Sequence, residues 1–154
     1  MSRSRLHRFA GQRGLATVEF VITLPLLLLV FLATAEVGRM LSQYDTLTKA
    51  VRDGARYLAA NSLAGSTSTV SISGQVQAQT QNLVVTGNIN GTGSPVLPGL
   101  AVGNVTVSDA GNGYVSVAAS YTFQPIFATL PTFGLSGPIS LSVPLNASVV
   151  MRAL

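Results

Sequence analysis

The chain has 154 residues, a net charge of +4 and only 9% charged side chains, a size that suits one small domain plus a membrane segment. It has no cysteine and a single histidine, His7, near the N-terminus; this excludes disulfides, thiolate chemistry and histidine-based triads or zinc sites from the rest of the chain. Four of the nine bases precede Gly14, residues 15–154 carry five bases against five acids, and beyond Ala60 only Asp109 and Arg152 are charged, so neither a nucleic-acid footprint nor acid–base catalysis is expected.

The first fourteen residues form a basic leader carrying Arg3, Arg5, Arg8 and Arg13. Leu15 to Ala35 then reads as an apolar run of 21 residues with one charge, Glu19. A helix of that length spans roughly 30 Å, the thickness of a hydrocarbon core. Arginines ahead of a span favour a cytoplasmic N-terminus, with the remainder of the chain outside. An ionised carboxylate inside hydrocarbon is costly, so Glu19 is a functional candidate by default.

Three readings fit this N-terminus. It could be a plain anchor that keeps its leader and uses Glu19 for packing against another helix. It could be a secretory signal, since Ala33-Thr34-Ala35 has the small-x-small pattern that precedes a signal-peptidase cut and would start the mature chain at Glu36; against this, the run exceeds the usual signal core of about 7–15 residues. The third reading is a leader cut between Gly14 and Leu15, with the apolar run kept as the mature N-terminal helix. This reading explains Glu19 physically. Cleavage exposes a charged amine on Leu15, the carboxylate lies four residues on, and in a bundle of like helices it can neutralise a neighbour's amine and offset a burial cost neither charge bears well alone.

The segment Arg13-Gly14-Leu15-Ala16-Thr17-Val18-Glu19-Phe20, followed by Pro25, resembles the TadE-like minor pseudopilins of the tight-adherence (Flp) pilus system. That family's processing signal is a glycine, a short apolar stretch, then Glu and an aromatic residue, usually Tyr; Phe20 lacks the phenolic hydroxyl. Val51-Arg52-Asp53-Gly54-Ala55-Arg56-Tyr57 is similar to the turn closing the family's helix, and Val115 to Phe123 with Ile139 to Arg152 look like its closing strands. The resemblance implies cutting by a prepilin peptidase and assembly with other minor pilins at an inner-membrane platform. It places the chain as a single-pass protein of the bacterial inner membrane, with the lipid bilayer as a further partner.

Past the span the helical period persists. Val37, Met40, Leu41, Tyr44, Leu47, Val51, Ala55, Leu58 and Ala59 recur at spacings of three and four, which predicts one helix from Leu15 to about Ala60 whose second half packs under a head. Pro25 removes a backbone bond and is expected to bend it. Asp45 with Lys49, and Lys49 with Asp53, stand at i,i+4 on the polar side. Gly54 either weakens the helix locally or permits a close approach of another element.

Asn61 to Thr69 reads as a polar loop, and a second helix is expected over roughly Gly74 to Val84. Asn88 to Gly99, rich in Gly, Asn and Pro, is expected to be an exposed loop. Val102 to Ser108 and Tyr114 to Phe123 alternate as the arms of a hairpin, with Asp109 to Gly113 as a loop of about five residues. Pro125 to Pro138 reads as a long connection whose apolar residues, Phe127, Leu130, Phe133 and Leu135, either pack on the helix, the favoured reading because a small domain needs its apolar groups buried, or stay exposed for a partner. Ile139 to Met151 returns as a strand that Pro144 assigns to an edge or a break. The expected fold is α+β: a long transmembrane and amphipathic helix supporting a small antiparallel sheet of three or four strands, pilin-like. The expected division is a leader over 1–14, a span over 15–35, a helical continuation over 36–62 and a head over 63–154. Glycosylation-like triplets at Asn90, Asn104 and Asn146 carry no weight in a chain so rich in Asn, Ser and Thr, and Asp109 suits a turn rather than a cation.

Overall fold

The long apolar pattern produces one uninterrupted helix, α1, from Gln12 to Asn61, with Pro25 inside it. At the helical rise its 50 residues extend about 75 Å. The computed structural model describes residues 12–63, 69–127, 129–130, 137 and 139–154. The leader arginines Arg3, Arg5 and Arg8, most of the expected polar loop (64–68), and Phe133 and Leu135 lie outside them.

The second helix, α2, runs from Gly74 to Thr86. Ser73 caps it, its hydroxyl accepting from the Val76 N–H at 3.2 Å, and Gly87 closes it with a left-handed φ of 70°. Ahead of it, Leu63 and Val70 form a single antiparallel bridge. A short 3-10 turn at Val102–Asn104 leads into strand β1, Val105–Gly111. Strands β2 (Tyr114–Thr122) and β5 (Pro144–Arg152) complete an antiparallel sheet in the order β1-β2-β5. A two-residue ladder, β3 (Thr129–Leu130) with β4 (Ile139–Ser140), lies between them in sequence.

Several details differ from expectation, among them the first arm of the hairpin, which starts at Val105 after the 3-10 turn rather than at Val102. The hairpin joins β1 and β2 through two residues, Asn112 and Gly113, rather than five. Both have positive φ, 54° and 78°, the arrangement that matches the twist of paired strands; Asp109 supports the turn by accepting from the Gly111 N–H at 2.7 Å. The segment after Gln124 contains the short β3–β4 ladder in place of a wholly irregular connection. The Asn88–Gly99 loop is exposed over most of its length but buries Leu97, and Leu100 just after it is buried too. The Val96 N–H donates to the Val85 carbonyl at 2.8 Å, holding this loop against the end of α2. Pro144 starts β5, an edge strand of the sheet, where its missing N–H costs no ladder bond.

The core lies where α1, α2 and one sheet face meet. From α1 come Leu47, Val51, Ala55 and Leu58, all fully buried. From the sheet come Val115 and Val117, with Phe123 from just past β2 and Val84 from α2. The apolar stripe of α1 is fully buried only from Leu47 onward, with Met40 packed against the edge of the core; Val37, Leu41 and Tyr44, on its earlier turns, are exposed at 49%, 60% and 44%. Gly54 is a contact point between helices. A Cβ there would stand 2.4 Å from Val84 Cγ2 and 3.6 Å from Thr80 Cγ2, so only glycine lets α2 lie this close.

Candidate functional site

The first half of α1 projects away from this core. Leu15, Val18, Phe20, Val21, Ile22, Leu26, Leu27, Leu28, Val30 and Phe31 are each more than half exposed. The helix is long and apolar enough to cross a membrane, and none of its most apolar window is buried by the rest of the chain. Continuous helix is what such a span requires, because its backbone groups satisfy one another without water. Its hydroxyls are also satisfied internally: Thr23 donates to the Glu19 carbonyl at 3.0 Å and Thr34 to the Val30 carbonyl at 2.8 Å.

The sequence-derived candidates sit at the start of this exposed segment. Gly14, Leu15, Glu19 and Phe20 follow one another on α1, all exposed, and Arg13 precedes them within the helix. Leu15 and Glu19, four residues apart, occupy the same helix face one turn apart. Pro25 falls a turn and a half further on.

Residues 14–56 match the family of TadE-like proteins. The TadE-like segment thus begins at the glycine of the expected cut, takes in Glu19 and Phe20, and ends within Val51 to Tyr57, which does not close the helix, since α1 continues to Asn61. The family is one of tight-adherence pilus components and not a known enzyme family, and the match covers the N-terminal part of this chain. No curated protein and no solved structure matches the chain.

A second charged cluster, which the sequence did not single out, lies at the far end of the apolar run. Glu36 is 4% exposed. Its carboxylate accepts from the backbone N–H of Ile126 at 2.9 Å and of Phe127 at 3.4 Å. Its other oxygen pairs with Arg39 at 2.9 Å, and the Arg39 guanidinium lies 5.7 Å from the centroid of the Phe123 ring. One carboxylate therefore joins α1 to the segment that leaves β2. The i,i+3 spacing of Glu36 and Arg39 is visible in the sequence, but it reads as an ordinary surface pair until the fold brings residues 123–127 against it. A small cavity of about 80 Å³ adjoins the clasp, lined by Glu36, Val37, Met40, Phe123, Leu141 and Val143.

Arg39 reaches further into the head. The buried Tyr121 phenol donates to the Pro98 carbonyl at 3.1 Å. Burial raises its pKa above the usual 10.0, and the nearby Arg39 charge offsets part of that rise. Of the two ion pairs expected further along α1, Lys49 with Asp45 forms, at 2.7 Å. Among the described residues no group of His, Cys, Asp and Glu could hold a metal ion.

Proposed function

We propose that this chain is a minor pilin-like subunit serving assembly of a tight-adherence pilus, cut by a prepilin peptidase between Gly14 and Leu15. The leader over 1–14 stays cytoplasmic, residues 15–35 span the inner membrane, 36–62 continue the helix, and 63–154 form an extracytoplasmic head. The observation that carries the reading is the TadE-like match starting at Gly14, with a single acid, Glu19, in the otherwise apolar and largely exposed run from Leu15 to Ala35. Glu19 is the assembly residue. After cleavage its carboxylate pairs with the Leu15 amine of an adjoining subunit, so two charges enter the helix bundle as one neutral pair. Phe20 and the leader arginines present the cut site to the peptidase.

Two rivals give different N-termini: an unprocessed anchored binding module keeps Met1, and a secreted module starts at Glu36. Intact mass and N-terminal sequencing of membrane-extracted protein, with and without a co-expressed prepilin peptidase, separate all three. The pilin reading requires a peptidase-dependent start at Leu15.

A further inference from the structure

Glu36 is the first residue after the apolar run, and its carboxylate fixes the backbone of Ile126 and Phe127 beside that point on α1. Helical side chains lean toward the helix N-terminus, which for Glu36 is toward the span. Yet the two side chains held there are not buried: Ile126 is 69% exposed and Phe127 43%. This overturns the expectation that Phe127 packs on the helix. Val37 and Leu41, exposed on the first turns beyond the run, stand at the same level within about 8 Å by helix rise. Val143, at the rim of the adjoining cavity, is 42% exposed.

We propose that Ile126 and Phe127, together with Val37 and Leu41, form an apolar collar that enters the outer interfacial layer of the bilayer spanned by Leu15–Ala35. This rests on the reading of that run as a span. The collar is continuous with the lipid-facing surface of the helix, and no charged residue occurs between Asp109 and Arg152 to keep the loop in water. The clasp makes entry feasible in a second way. A segment leaving water must find partners for its N–H groups, and Glu36 already accepts from those of Ile126 and Phe127. Arg39 neutralises the carboxylate at 2.9 Å, so the fixture brings no net charge to the interface. Phenyl and branched aliphatic side chains suit that layer, which an apolar face enters to a depth of roughly 5–10 Å.

The chain has no tryptophan, so single substitutions supply unique reporters. Full-length Phe127→Trp, Phe31→Trp and Tyr114→Trp proteins would be reconstituted in phosphatidylcholine vesicles containing lipids brominated either near the headgroup or near the chain end. Phe31 reports on the span, and Tyr114, at the hairpin turn, reports on the head. The expected result is that headgroup-proximal bromine lowers Phe127→Trp emission by about half, as suits a depth of roughly 5–10 Å, while chain-end bromine lowers it much less. Phe31→Trp is quenched along the chain, and Tyr114→Trp is unaffected by either. Quenching of Phe31→Trp with Phe127→Trp as insensitive as Tyr114→Trp overturns the collar and leaves the span standing. Failure to quench Phe31→Trp overturns the span, and the collar with it.

Discussion

Two glutamates on one helix do opposite things because their surroundings differ. Glu19 is exposed on an apolar surface, and among the described residues it has no ion-pair partner to offset the cost of leaving water. Glu19→Ala is expected to leave membrane insertion intact and to reduce pilus assembly strongly, read by counting surface fibres; normal piliation would sink the role assigned to it. Glu36 has its partners within the chain. Glu36→Ala strands two backbone donors and the Arg39 guanidinium, a loss of about 1–3 kcal/mol. It should lower the melting temperature of the detergent-solubilised protein and speed hydrogen exchange at the Ile126 and Phe127 amides. Glu36→Gln, which keeps an acceptor oxygen, should do so less. Tyr121 gives a pH signature. Its folded pKa is raised above the unfolded 10.0, so the folded state holds the proton more tightly. The stability it contributes is complete below pH 10.0 and is lost as pH rises through the folded value. Melting temperature should fall over that alkaline range, and Tyr121→Phe should flatten the fall.

At the scale of elements, the closest fit is α1 against α2 at Gly54. Alanine would improve helix propensity by about 1 kcal/mol, but its Cβ would meet Val84 Cγ2 at 2.4 Å. Overpacking of a stiff β-branched neighbour costs about 1–3 kcal/mol and outweighs the gain. Gly54→Ala should therefore lower the unfolding midpoint, and adding Val84→Ala should recover part of the loss, so that the double variant is more stable than the sum of the singles. The long helix itself was legible in the sequence, because a helix returns apolar side chains to one face at spacings of three and four, and that rhythm holds from Val37 to Ala59. The hairpin was legible in its arms but not in its turn. Asp109 to Gly113 is polar and glycine-rich throughout, and only pairing of Gly111 with Tyr114 shows that two residues make the reversal. The burial of Leu97 and Leu100 was hidden for a related reason: Gly and Pro around them signal a loop, and composition does not reveal that a loop folds back on α2.

For the whole molecule, the two halves of α1 have different surroundings. Its first half offers apolar side chains that the described residues leave uncovered, and its second half is the floor of the head's core. The sequence by itself determined the membrane-length run, the lone acid after a glycine that marks the TadE-like match, the α+β class and the near absence of charge in the head, because these depend on local composition and periodicity. Only the tertiary structure decided where the apolar stripe passes from exposed to buried, why Gly54 is glycine, and that Glu36 clasps a segment 90 residues away. Those facts depend on which surfaces meet. Spacing along the chain carries no record of a contact between residues so far apart, and a Glu–Arg pair three residues apart reads the same whether it faces water or closes a fold.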